Sequence, residues 1–171
     1  DLASIQSALD SLHNYSALTC DIECYSLDIQ NTGLGTIAFA IDKNNGVAFS
    51  VDFSNNHQPN IPVRNILKEF FKNYQGKLIF HNANYDVKVL VYQLFMTDFT
   101  DTKGMLDGIE TLTGSIDDTK IIAYLATNSA SKPPLSLKYL AHEFAGNYAQ
   151  DDIKDIRKIP EDILLKYNLV D

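Results

Sequence analysis

The chain has 171 residues, enough for one domain with a full hydrophobic core. With 45% apolar and 21% charged residues it has an ordinary globular composition, which excludes a disordered or fibrous protein. A net charge of -8, from 22 acids and 14 bases, argues against wrapping nucleic acid by bulk charge, although bound metal ions can offset clustered acids locally.

No apolar run approaches the roughly 20 residues of a membrane span, and the start carries no signal-peptide pattern. No membrane partner and a cytoplasmic location are therefore expected. Two cysteines, Cys20 and Cys24, fall on the apolar parity of one strand and read as buried free thiols. A zinc site would need two more ligands at suitable spacing, and none is present.

In chain order, Leu2, Ile5, Leu9 and Leu12 trace a short amphipathic helix within 1–16. Leu18 to Cys24 alternates strictly. Leu18, Cys20, Ile22 and Cys24 take one face; Thr19, Asp21 and Glu23 take the other. Thr36 to Ile41 is a second strand, with Gly33 and Gly35 read as turn residues before it. Asn44-Asn45-Gly46 reads as a hairpin turn with positive φ, and Val47, Phe49, Val51 and Phe53 mark a third strand. Short links make these three an antiparallel meander.

Pro62 suits the first turn of a helix carrying Val63, Ile66, Leu67, Phe70, Phe71 and Tyr74, ended by Gly76. Lys77 to Phe80 is a short apolar strand, which begins a parallel crossover pattern. The next helix buries Val87, Leu90, Val91, Leu94 and Phe95. Residues 97–108 read as a polar connection, and Ile109 to Ile116 as a place for a fifth strand. Asp117-Asp118-Thr119 starts a helix with Ile121, Ile122 and Leu125. Asn128 to Pro134 reads as a loop. Leu135 to Phe144 then forms a helix stopped by Gly146, and Asp151 to Lys158 is a charged, exposed stretch. Pro160-Glu161-Asp162 opens the last helix, with Ile163, Leu164, Tyr167 and Val170 as its apolar positions.

Three clusters carry chemistry. Asp21 and Glu23 stand about 6.6 Å apart on one face of a strand, where two like charges repel. Either they face solvent at a strand end, or one is protonated, or a cation lies between them, and hard divalent ions prefer such oxygen ligands. Asp86 opens a helix straight after a strand, with Asn82 before it as an N-cap. Ligand sites in open α/β sheets gather there, but helix-start electrostatics explains Asp86 equally well. Tyr167 and Asp171 share a helix face at i and i+4, with Ile163 one turn earlier pointing inward. A core tyrosine with a wet hydroxyl is the plainer account of Tyr167.

Together, Asp21-x-Glu23, Asn82-x-x-x-Asp86 and Tyr167-x-x-x-Asp171 resemble the three-part signature of the DEDD exonucleases, tyrosine subclass. The chain is similar, from about Leu18 to Asp171, to the 3′→5′ proofreading exonuclease domain of family A DNA polymerases, the bacterial polymerase I and phage kind. Leu27-Asp28, Asp118-Thr119 and Leu135 to Ala141 also match that family. His81 and Asp86 fit the closing motif of the histidine subclass, but that assignment leaves no acid in the middle-motif role. The resemblance implies an RNase H-like α/β fold. Its mixed five-stranded sheet would have three antiparallel strands, then parallel ones, with flanking helices and the first strand central.

The resemblance also implies two divalent cations, Mg2+ or Mn2+, held by Asp21, Glu23, Asp86 and Asp171, with Asp21 bridging them. Tyr167 and Glu23 would aim the attacking water, and a nucleoside 5′-monophosphate would leave. Leu27 would wedge between the last two bases, and Asn82 would contact the strand near its end. The implied partners are the single-stranded 3′ end of DNA and a polymerase domain in cis. Residues 1–171 would then be the exonuclease domain of a longer DNA polymerase, in a bacterial cell or a phage-infected host. An RNase D-like RNA-processing exonuclease and a catalytically silent RNase H-like interaction module are the alternatives.

Overall fold

The alternating segment Ala17–Cys24 forms β1, the middle strand of a five-stranded sheet ordered β3-β2-β1-β4-β5 in a computed structural model. The structure describes residues 1–127, 132, 134–144 and 155–170. The expected loop Asn128 to Pro134 lies mostly outside the described residues, as do Gly146, the first part of the Asp151 to Lys158 stretch, and Asp171.

Antiparallel β2 (Leu34–Asp42) and β3 (Asn45–Ser50) complete the meander, while β4 (Lys77–Phe80) and β5 (Ile116–Asp118) pair in parallel beyond β1. The helices are α1 (Leu2–Leu12), α2 (Ile61–Asn73), α3 (Ala83–Leu90), α4 (Thr102–Thr113), α5 (Thr119–Ala126), α6 (Leu137–Phe144) and α7 (Glu161–Val170). This is the mixed α/β sheet the element order implied.

The two faces of the sheet differ in side-chain size. On one face, Cys20, Ile22, Ile37 and Phe39 join the core with Leu67, Phe70 and Phe71 of α2. Phe39 meets Phe70 with ring centroids 5.2 Å apart. On the other, the small residues Thr36, Ala38 and Ala40 alternate with them, and α7 packs on β2 and β3. A face of alanine and threonine lets a helix approach closely.

Three local expectations change. The hairpin turn is Lys43-Asn44, and neither Asn44 nor Asn45 has a positive φ. The Asp42 carboxylate instead accepts from the Asn44 and Asn45 backbone N–H groups (2.8 and 3.0 Å), an Asx-type turn that needs no left-handed residue. Gly46 serves packing: a Cβ there would lie 2.7 Å from the Phe39 carbonyl and 2.8 Å from Leu169 of α7.

Residues 97–108 are not simply a connection. Asp101 accepts from Gly104 N at 2.8 Å and starts α4, which takes up the first part, to Thr113, of the segment expected to hold the fifth strand. Gly104 and Gly108 weaken the helical signal. They are there because Phe95 crowds both: a Cβ would come within 2.4 Å of its carbonyl and 3.0 Å of its ring. The fifth strand is the shorter Ile116–Asp118. Gly35 likewise lies inside β2, where a Cβ would meet Ile156 and the Glu23 carbonyl.

Candidate active site

β1 is longer than its parallel neighbour needs. It pairs with β2 out to Cys24, but with β4 only from Ala17 to Thr19. Asp21 and Glu23 therefore lie beyond the last β1–β4 pair among the described residues, at the carboxyl ends of β1 and β4. That is where open α/β sheets form ligand crevices. A register shift between Glu23 and Cys24 re-aims the strand end, as bulges beside functional sites do.

Asp86 comes from the first turn of α3 and is 7% exposed. Burial first, then the charge of Asp21, push its carboxyl up to about 8. The first and second motifs thus share one electrostatic site. Burial, then Asp86 and Asp21, also push the Cys20 thiol well up. Cys24 is raised by burial, and a hydrogen bond with Tyr85 only partly offsets this. Asp86, Glu23 and Asp21 raise it further. Neither cysteine forms a disulfide, and both stay thiols beside the acids.

The third motif arrives on α7. Tyr167 is 6% exposed, and the Lys138 ammonium lies 5.8 Å from its ring centroid. Ile163, expected to share the inward face, is 50% exposed; the buried neighbour is Leu164. The inward stripe runs through Leu164, Tyr167 and Asn168, spaced three and four apart. Asn168 is buried at 1% exposure and donates from Nδ2 to Asp21 Oδ2 at 2.7 Å. Nothing in the spacing of the motifs singled Asn168 out. The available signal was a polar residue beside an inward tyrosine.

Asn82 precedes α3 but does not cap it. Its backbone is left-handed (φ 65°), and its side chain makes no capping bond. Its Oδ1 accepts from Lys120 Nζ at 3.2 Å. The capping is done by Asp118, which accepts from Asn82 N (3.0 Å) and Ala83 N (2.9 Å) as well as from Lys120 N in α5. Burial alone would raise the Asp118 carboxyl, but these backbone donors hold it below the usual carboxylate range.

Leu27 is 86% exposed, yet its loop is braced. Ser26 N donates to Thr32 Oγ1 (3.0 Å), Gln93 Nε2 to the Thr32 carbonyl (2.7 Å) and Tyr85 Oη to the Ser26 carbonyl (2.9 Å). Gln93 reaches inward from a π-helical turn, Val91–Phe95.

The structure thus brings Asp21, Glu23 and Asp86 to one end of the sheet and seats Tyr167 on the helix packed against it. Among the described residues, no three His, Cys, Asp or Glu are grouped as a metal site; Asp171 is outside them. The donor chemistry nevertheless suits a hard cation. The acids offer only carboxylate oxygens, and burial and then the Asp21 charge disfavour the ionised form of Asp86, a cost that a bound cation would offset.

A family model for the 3′–5′ exonuclease of the DNA polymerase A type matches residues 1–167. The chain belongs to this 3′–5′ exonuclease family. Solved structures with the same fold include Brucella melitensis NrnC (17% identity, TM-score 0.64), covering 94% of this chain and 68% of that one. Escherichia coli RNase D, an exoribonuclease involved in structured RNA processing, is 14% identical with a TM-score of 0.64, covering 99% of this chain and 39% of that one. The RNase domain of yeast Pop2 is 12% identical with a TM-score of 0.60, covering 98% of this chain and 80% of that one. The chain spans 66% of the length of NrnC bound to pGG. No curated protein matches the sequence. The exonuclease domain is an RNase H-like α/β fold, and among its described residues no helix is long and apolar enough to cross a membrane.

Proposed function

We propose that this 3′–5′ exonuclease domain removes nucleoside 5′-monophosphates from single-stranded 3′ ends of DNA, as the proofreading part of a DNA polymerase. The observation that carries the reading is the burial of Asp86 within electrostatic reach of Asp21, two acids from separate motifs.

Asp21, Glu23 and Asp86, with Asp171 from the third motif, would hold two divalent cations, Mg2+ or Mn2+. When bound, these activate water and stabilise the leaving 3′ oxygen. The chain's own groups do the rest. Tyr167, held in place by burial and by Lys138 over its ring, orients the attacking water with Glu23. Leu27, presented from a braced loop, separates the last two bases. Asn82, steadied by Lys120, contacts the strand near its end. Apolar contact with splayed bases is tolerant of sequence, as proofreading requires. The acidic surface charge leaves binding to these few contacts rather than to bulk attraction.

The test combines Mn2+ calorimetry with degradation of matched single-stranded DNA and RNA. Two bound ions and faster loss of 3′-terminal deoxynucleotides are expected. Faster degradation of RNA would replace the polymerase reading with RNA processing, and absence of metal binding and of hydrolysis would leave a silent module.

A further inference from the structure

We propose that Asn168 is the positioning residue for Asp21: it sets that carboxylate for cation binding and registers α7 on the sheet. The proposal rests on the exonuclease reading above and extends it to a residue outside the three motifs.

The Asn168 side chain is bonded at both ends. Thr36 Oγ1 on β2 donates to its Oδ1 at 2.9 Å, and its Nδ2 donates to Asp21 Oδ2 at 2.7 Å. Thr36 is fully buried and stands opposite Glu23 in the β1–β2 ladder; Ala38 stands opposite Asp21. The small alanine leaves room for the amide to reach across. Because the Thr36 hydroxyl claims Oδ1 as acceptor, the amide can turn only its NH2 towards Asp21. The chain Thr36–Asn168–Asp21 thus has a direction, and it joins β2, α7 and β1.

An amide buried this deeply is costly unless both ends are satisfied, and an apolar side chain would pack α7 without that risk. What the amide adds is orientation. A lysine or arginine could also fix the carboxylate, but its charge would cancel the attraction for a cation. A neutral donor fixes the carboxylate and leaves its charge in place. Partners of this kind, behind a metal-binding carboxylate, typically tune metal affinity 10- to 100-fold.

The experiment measures Mn2+ binding by calorimetry, and degradation of 3′-labelled single-stranded DNA across a Mn2+ series. It uses wild type, Asn168→Ala, Asn168→Asp, Thr36→Val and Thr36→Ser. We expect Asn168→Ala to raise the Mn2+ dissociation constant and the half-saturating Mn2+ in turnover together, by about 10- to 100-fold. Turnover at saturating Mn2+ should recover most of the wild-type rate. Thr36→Val, which removes one hydroxyl at near-constant volume, should shift metal affinity the same way by a smaller factor, and Thr36→Ser should restore it. Asn168→Asp sets a second carboxylate against Asp21 and should abolish the recovery. Unchanged Mn2+ affinity in Asn168→Ala and Thr36→Val, with only melting temperature lowered, would overturn the proposal. So would a Thr36→Ser variant as impaired as Thr36→Val. A wild-type protein that neither binds Mn2+ nor degrades DNA would instead overturn the exonuclease reading beneath it.

Discussion

Asp118, the last residue of β5, accepts a hydrogen bond from Ala83 N at the start of α3 at 2.9 Å, so one carboxylate caps two helices. It also takes Asn82 N and, in α5, Lys120 N. Because α3 carries Asp86, a residue on the edge strand sets the position of a site acid.

Removing that cap should loosen α3 at its first turn. Asp118→Ala is expected to cost about 1–2 kcal/mol for each helix start it exposes. It should lower exonuclease turnover more than Asp118→Asn, which keeps an acceptor oxygen. Urea denaturation and single-turnover rates on labelled DNA check both parts.

A second expectation concerns pH. Burial and then Asp21 lift the Asp86 carboxyl to about 8, far above its value in the unfolded chain. A raised acid stabilises the folded state fully below the unfolded value, and this contribution is lost as pH rises through the folded one. Metal-free wild type should therefore melt at falling temperature between pH 5 and 9. Asp86→Asn should flatten that dependence, and Mg2+ should restore stability most strongly at the alkaline end. Thermal melts across the pH series, with and without Mg2+, provide the comparison. A slope identical in wild type and Asp86→Asn would contradict it.

Loss of a proposed cation ligand should differ in kind from loss of a group that aims water. Asp21→Ala is expected to abolish degradation at any Mn2+ concentration. Tyr167→Phe keeps the buried ring and its contact with Lys138, and should lower turnover by about a hundredfold or less. Initial rates on single-stranded DNA at saturating metal distinguish the two. Equal losses would give the tyrosine another role.

Away from the acids, Asp52 is wholly buried. It accepts from Arg64 Nε at 3.0 Å, Leu34 N at 2.9 Å and Asn60 N at 2.9 Å. Arg64→Ala leaves this carboxylate without its cation and should cost about 3–5 kcal/mol in chemical denaturation. The double variant Asp52→Asn/Arg64→Met should lose less than Arg64→Ala alone. Both should retain metal binding at low temperature, because neither residue touches the acids at the end of β1.

How much of this was legible beforehand varied with the kind of signal. The alternation of Leu18 to Cys24 and the apolar run Lys77 to Phe80 foretold two strands, because a period of two is a local property, whereas the central place of the first strand came from the family resemblance. Helix α4 was obscured because Gly104 and Gly108 answer to Phe95, which lies outside the helix. The Asn-Gly pair after β2 looked like a positive-φ turn, yet Asp42 makes the turn and Gly46 makes room for Leu169.

By itself, the sequence determined the residue types and order of the three motifs, the alternation that puts Asp21 and Glu23 on one face, and the chain's place in an exonuclease family. Only the tertiary structure decided that Asp86 feels Asp21, that Leu164 rather than Ile163 faces inward with Tyr167, and that Asn168 joins Thr36 to Asp21. The reason is physical. Periodicity records which way a side chain points along its own element, whereas burial, field and hydrogen bonding depend on which other elements lie across from it.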